Sequence, residues 1–379
     1  MAAIAVVSAG LAVALLLVGM ISAKLERPPY TWMRDGWLAA APHLGLELDN
    51  IAPNLPRVEE RVIRTSSAAQ VRRIRSDLIR LLWGKDELPT RLPNRVVRDV
   101  RDPAFALPGV ARIDQLTVEM EFGIDSKVYH FIPLRPNGKL VLFHKGHEDG
   151  GHLAFAADII GRLTEQGYAV AGFSMPLLGA NTRPTIDHPR LGIYPLVSHN
   201  RMRVLRPAQG HPVQFFLEPV IAALNYLDAS YDYSAVAMTG LSGGGWTTTM
   251  AAALDERIGQ SFPVAGSMPL SLRTPGAPSD YEQHASDLYW TATYPELYVL
   301  GTSGGRTQVQ ILNTYDSCCF KAKKADLYRD AVRNVSRRAG GGCFDVLADD
   351  THRAHDYSDW ALGRVLKAME AGAGSVARC

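Results

Sequence analysis

The stretch that decides the fold is Ala235-Val-Ala-Met238 followed by Thr239-Gly240-Leu241-Ser242-Gly243-Gly244-Gly245-Trp246. A short apolar run passes directly into Gly240-x-Ser242-x-Gly244, and residues 245–254 continue with helical character. In such a strand–turn–helix the chain reverses within a few residues and the serine is left in a strained conformation. Side chains at the flanking positions would meet neighbouring backbone, so glycine is required on both sides. The hydroxyl then stands at a helix N-terminus, whose positive end favours developing negative charge. No G-x-G-x-x-G spacing occurs here, which argues against a dinucleotide-binding loop.

Outward from this turn, strands and helices alternate from about Ile113 onward. Leu116–Phe122 and Lys127–Ile132 read as an antiparallel pair joined by Gly123-Ile-Asp-Ser. Leu140–Phe143 is a short, fully apolar run of the kind buried on both faces of a parallel sheet. A helix over Ala154–Gln166, a strand over Tyr168–Phe173 and a helix over Val213–Leu227 with Pro219 inside follow. Later strands are expected at Ser261–Val264, Val309–Leu312 and Phe344–Leu347, with a terminal helix at Ser358–Met369. The 176–211 stretch, rich in Pro, Gly, Arg and His, reads as a loop lying over a site. Alternation of this kind implies an α/β fold with a mainly parallel sheet covered on both faces.

The elbow within this alternation resembles the α/β-hydrolase superfamily, in its serine esterase and peptidase-like branches, over about residues 113–372. The resemblance implies a chain order of nucleophile, acid, histidine. Ser242 is then the nucleophile and Asp316, just past Val309–Leu312, the acid; Asp349 and Asp350 are rivals before the histidines. His355 and His352 compete for the base, and His355 is preferred because it leads into the terminal helix through its N-cap candidate Ser358. The oxyanion donors implied are the N–H of Gly243 and that of Gly146 or His147, in His144-Lys-Gly146-His147-Glu-Asp-Gly-Gly151. That loop differs from the His-Gly-Gly-Gly form. A metal site from His144, His147, Glu148 and His152 is its alternative reading, whereas the resemblance implies neither metal nor cofactor. The expected function is hydrolysis of a small-molecule carboxylic ester. A peptidase, an acyltransferase or a non-catalytic binding protein of the same fold are the alternatives.

Composition bounds these readings. The chain has 379 residues, 47% hydrophobic and 21% charged, so it supports a large core without disulfide staples. Forty basic against thirty-eight acidic side chains leave a net charge of +2, which does not suit a nucleic-acid binder held by phosphate contacts. Cys318, Cys319, Cys343 and Cys379 lack the C-x-x-C spacing of a structural zinc module. Cys318 or Cys319 is a candidate to pair with Cys343 in an oxidising compartment, and a small buried hydrophobe in a reducing one. Met175, Leu177, Leu178, Tyr281, Tyr289, Trp290 and Tyr294 are candidate pocket residues, although ordinary packing accounts for such residues more often.

Three regions are expected: an apolar segment over residues 1–23, an extension over 24–110 and the hydrolase-like domain over 111–379. Ala2–Ala23 carries no charge, and at about 1.5 Å per residue a helix of that length spans a hydrocarbon core of about 30 Å. No basic residue precedes it, which favours a single-pass membrane anchor over a cleaved signal peptide that would leave a secreted or periplasmic protein. Within the extension, Ser67-Ala-Ala-Gln70 fits a capping box, Val71, Ile74, Leu78 and Leu82 repeat at helical spacing, and Gly84 stops the helix. Arg72, Arg73, Arg75 and Arg80 are assigned to its solvated face.

Overall fold

The computed structural model of the chain describes residues 15–21, 29, 33, 55–101, 107, 109–147, 156–273, 280–316 and 318–378. Of the candidate membrane span, residues 15–21 are described and helical; the rest lies outside the described residues. Among the described residues no helix is long and apolar enough to cross a membrane. Met1–Leu55 and Pro56–Cys379 are separate compact units, and everything below concerns the second.

The expected helix of the extension is α1, Ala68–Trp83, and it belongs to the same compact unit as the sheet. The Ser67 Oγ accepts the Gln70 N–H, and Gly84 closes the helix at φ 66°, a conformation open to glycine without steric cost. Val71, Ile74, Leu78 and Leu82 are buried as the spacing requires. Arg75 corrects the expectation of a solvated face: it is buried, donating to the Ala253 and Leu300 carbonyls at 2.9 and 3.0 Å and to Glu256 at 2.7 Å. The two carbonyls lie in the last turns of helices elsewhere in the chain, and a guanidinium with five donors can satisfy several acceptors at once.

A strand β1 (Arg95–Val97) begins a nine-stranded sheet that continues with β2 (Val110–Val118), β3 (Ser126–Pro133), β4 (Lys139–His144) and β5 (Ala169–Phe173). The sheet is completed by β8 (Ala235–Leu241), β9 (Gln260–Val264), β10 (Thr307–Asn313) and β11 (Cys343–Asp349). The spatial order is β1-β2-β3-β5-β4-β8-β9-β10-β11. The first three pairings are antiparallel, and every pairing from β5 to β11 is parallel. The carboxyl ends of β4, β8, β10 and β11 therefore open on one edge, where ligands of open α/β sheets bind.

Both faces of the sheet are covered, which explains the fully apolar central strands. Along β4, Val141 and Phe143 join the core beneath α2 (Ala157–Glu165) and the terminal helix α9 (Asp359–Ala371), with Ile160, Leu163, Leu362 and Val365. Leu140 and Leu142 point the other way, against Val220, Leu224 and Ala251 of α4 (Gln214–Ser230) and α5 (Gly243–Leu254). The 176–211 stretch is not a plain loop. It contains the antiparallel pair β6 (Thr185–His188) and β7 (Gly192–Pro195), then the short helix α3 (His199–Met202). Three further helices lie beyond those expected from the sequence: α6 (Ser286–Thr291), α7 (Tyr294–Thr302) and α8 (Arg329–Gly340). Most of the candidate pocket aromatics are packing residues: Tyr289 and Tyr294 are buried with their hydroxyls 2.7 Å apart, while Trp290 faces solvent.

Glu296 ties the extension to α7. Its fully buried carboxylate accepts from the Arg64 guanidinium at 2.6 and 2.8 Å and from the Arg64 and Thr293 N–H groups at 2.9 and 2.8 Å. Burial by itself would raise this carboxyl, but the hydrogen bonds from Arg64 and Thr293 outweigh it and hold it below its ordinary value of 4.5. A carboxyl depressed on folding contributes stability above its unfolded value, and that stability is lost as pH falls through the folded value. The stability difference between the wild type and Glu296→Gln, read from urea midpoints, is expected to be full above about pH 5 and to shrink on acidification. A difference that stays constant as the pH is lowered would contradict this.

Candidate active site

Ser242 closes β8 and opens α5 with φ 56° and ψ −120°, a region that side-chain-bearing residues seldom occupy. The strain is held by backbone on both sides: the Ser242 N–H donates to the Val264 carbonyl at 2.9 Å, and its carbonyl accepts the Trp246 N–H at 2.9 Å. The glycines are a steric requirement. A Cβ at Gly240 or Gly244 would lie 2.4 or 1.9 Å from the His144 carbonyl oxygen at the end of β4. Parallel pairing of β4 with β8 creates that closeness, since His144 and Gly240 are register partners.

The loop after β4 lies against the elbow. A Cβ on Gly146 would stand 2.9 Å from the Ser242 Cβ, and one on Gly243 would stand 2.5 Å from the His147 ring. Gly146, His147 and Gly243 thus gather around Ser242 at the N-terminal end of α5, where the N–H groups of a first helical turn have no partner within the helix. Met175 closes the other side, its terminal methyl also within 2.9 Å of that Gly243 position.

Asp316 and His355 are brought together from the ends of β10 and β11. The His355 Nδ1 donates to Asp316 Oδ2 at 2.8 Å; a carboxylate can only accept, so Nδ1 carries the hydrogen. The other Asp316 oxygen accepts the N–H groups of Cys318 and Cys319 at 2.6 and 2.8 Å, and the side chain is buried. His352 goes elsewhere, its Nε2 lying 3.3 Å from Asp349. Asp349 also accepts from Thr351 and Ser358, and so serves the turn into α9.

Three residues that sequence reasoning did not single out position the histidine loop. Asn313, the buried last residue of β10, donates through Nδ2 to the Ala354 and Asp356 carbonyls at 3.3 and 3.0 Å, on either side of His355. The Tyr357 hydroxyl meets Thr239 Oγ1 at 2.9 Å, three residues before Ser242 on β8. That bond lays the His355 loop across the end of the strand that carries Ser242. Asn313 ends a strand that also buries Gln308 and Gln310, so its polarity alone did not mark it out in the sequence.

Cys318 and Cys319 form a disulfide with each other, and Cys343 is engaged in a disulfide as well. Pairing of Cys318 or Cys319 with Cys343 is thereby corrected, as is the picture of small buried hydrophobes: Cys318 is exposed. The adjacent pair sits where its N–H groups hold Asp316.

The metal reading of the loop after β4 is also altered. His144 is buried, its Nδ1 2.8 Å from the Lys145 carbonyl oxygen and its ring stacked on Phe173, while Glu148 and His152 lie outside the described residues. Burial pushes the His144 imidazole down to about 4, so it is neutral near pH 7. His147 instead meets Glu282 at 2.7 Å and Asp280 at 3.2 Å, with the His199 ring 5.0 Å from its own.

No protein-family model matches the chain, and no curated protein matches it in sequence. Solved structures do. Methylesterase BT1017 aligns with a TM-score of 0.56 at 15% identity, over 91% of this chain and 71% of that one. A glucuronoyl esterase from Solibacter usitatus aligns at 0.52 and 14% identity, over 80% and 91%. Acetyl xylan esterase 1 from Thermoanaerobacterium sp. JW/SL YS485 aligns at 0.51 and 11% identity, over 81% and 96%. Identities this low establish a shared fold and nothing finer.

Proposed function

On this α/β-hydrolase scaffold we propose a serine hydrolase that cleaves carboxylic esters of small molecules through an acyl-enzyme intermediate. The observation that carries the reading is the pairing of His355 with the buried Asp316, on the sheet edge where a strained Ser242 begins a helix. His355 takes the Ser242 proton, Asp316 holds the imidazole tautomer and stabilises its cation, and Ser242 Oγ attacks the acyl carbonyl carbon. The alkoxide leaves with the proton from His355, and water, deprotonated by the same imidazole, releases the acid. The N–H of Gly243 and that of Gly146 or His147 receive the tetrahedral oxyanion, a single such donor being worth about 2.7–4 kcal/mol. The ester-cleaving names of the structural neighbours support the acyl substrate, and the uncharged run over residues 2–23 supports a membrane-tethered form.

One experiment addresses both parts. A fluorophosphonate probe is expected to label the full chain in the membrane fraction, to label a chain beginning at Lys24 in the soluble fraction, and to leave Ser242→Ala unlabelled. Equal labelling of Ser242→Ala would remove the nucleophile assignment. Identical fractionation of the two chain lengths would remove the tether.

A further inference from the structure

Beside the oxyanion loop lies a cluster of side chains that the proposed ester hydrolysis does not use. His147, His199, Asp280 and Glu282 each offer one donor atom, and the four lie within 4.8 Å of one another. They come from three places in the chain: the loop after β4, the start of α3, and the turn at Tyr281–Gln283 with the residue before it. Glu282 is fully buried and His199 is 3% exposed.

The orientation of each group is informative. The His199 Nε2 lies 2.8 Å from the Pro176 carbonyl oxygen, an acceptor, so Nε2 carries a hydrogen and Nδ1 faces the cluster. That Nδ1 lies 3.5 Å from Glu282 Oε2, and both atoms are buried with no hydrogen-bond partner. A backbone carbonyl on the far nitrogen is the support that metal-bound imidazoles commonly have, since it fixes ring orientation and tautomer. His147 Nε2 faces both carboxylates, 2.7 Å from Glu282 and 3.2 Å from Asp280. Two carboxylates thus converge on two imidazole nitrogens, a formal charge of −2, with Glu282 and His199 buried and Asp280 and His147 partly exposed. The buried Glu282 carboxylate calls for a positive partner, which protonated imidazoles or a bound dication can supply.

We infer that these four side chains form a binding site for one divalent cation of the zinc class. Two imidazole nitrogens with two carboxylate oxygens make a donor set suited to Zn²⁺, whereas Ca²⁺ and Mg²⁺ take oxygen donors. Bonds of about 2.0–2.2 Å in a tetrahedron set donors about 3.3–3.6 Å apart. The His147–Asp280 and His199–Glu282 separations of 3.2 and 3.5 Å already match. The shorter His147–Glu282 contact opens when Glu282 turns its unpartnered Oε2 to the ion. Asp280 and His147 are partly exposed and give the ion its way in. Bound there, the cation fixes the His147 ring, which rests against Gly243, and so braces the loop beside Ser242 without touching the reacting ester.

The test is metal binding itself, so its outcome is separable from that of the esterase reading. The purified chain, stripped with EDTA, is titrated with Zn²⁺ against a chromogenic chelator and assayed by elemental analysis. One Zn²⁺ per chain is expected. Asp280→Asn, at a partly exposed position that leaves the fold intact, and Glu282→Gln are each expected to weaken binding about a hundredfold or more, since even supporting residues cost about 10–100-fold. Substoichiometric Zn²⁺ in the wild type, or an affinity unchanged in Asp280→Asn, overturns the site. Should Glu282→Gln fail to fold, those two measurements still decide.

Discussion

Replacing His355 with alanine is expected to lower kcat/KM for a small ester by about 10⁵–10⁶-fold, because in the proposed mechanism nucleophile and base act as a unit and neither works alone. The same change at His352, three residues earlier, is expected to leave kcat/KM near the wild-type value. The two histidines occupy similar sequence surroundings and differ in what they meet. His355 Nδ1 donates to the buried Asp316 at 2.8 Å, with Asn313 gripping the carbonyls on either side. His352 rests on Asp349, which serves the turn before α9. Asp316→Asn is expected to cost about 10⁴-fold. The amide oxygen still accepts the Cys318 and Cys319 N–H groups, but its nitrogen now donates toward His355 and imposes the wrong tautomer. Kinetics on p-nitrophenyl esters, with thermal melts to confirm folding, decide the matter. A loss for His352→Ala equal to that for His355→Ala would dissolve the assignment.

The largest effect on stability is expected from Gly244→Ala. A Cβ there stands 1.9 Å from the His144 carbonyl oxygen and 2.9 Å from that of Lys145, both backbone atoms of a central strand and the loop it enters. No rotamer relieves such a contact; β4 and the first turn of α5 must separate, and both are buried in the core. Interiors packed this closely pass the strain on, and a destabilisation of about 4 kcal/mol or more, with loss of esterase activity, is expected from urea unfolding. Gly363→Ala is the control. It lies in the interior of α9, exposed, with nothing within 4 Å of its prospective Cβ, and alanine there is expected to stabilise by about 0.5–1 kcal/mol. A Gly244→Ala protein as stable as Gly363→Ala would refute the steric account of the elbow.

Much of the parallel half of the sheet was legible because its signals are local. The runs at Leu140–Phe143 and Ala235–Met238 are apolar at every position, as strands covered on both faces must be, and each falls inside an observed strand. The cap at Ser67 and the stop at Gly84 act within one helical turn, and both ends of α1 lie where they imply. Helices α7 and α8 were missed for the opposite reason. The first is buried all round and so has no polar face to set a period, while the second carries only a narrow stripe, Val332, Val335 and Ala339 at helical spacing, in an otherwise polar and charged stretch. Arg75 is i+4 from Val71 and so lies on the apolar stripe that Arg72 and Arg73 avoid; its charge hid that position, and the acceptors it meets across the fold are what allow it to be buried there.

The amino-acid order alone determined the turn at Ser242, since the steric need for glycine on both sides is written within five residues, and it determined the sequence of strands whose ends face one edge. The sequence also nominated Asp316 and His355, but the contacts that hold them, and the partners of Cys318 and His147, were decided by tertiary structure. Asp316 takes His355 across 39 positions, Cys318 bonds its neighbour, and His147 finds Glu282 across 135. Backbone sterics and hydrophobic period act between near neighbours along the chain. Partner choice among charged side chains depends on distances and burial that exist only once the sheet and its connecting loops have closed around them.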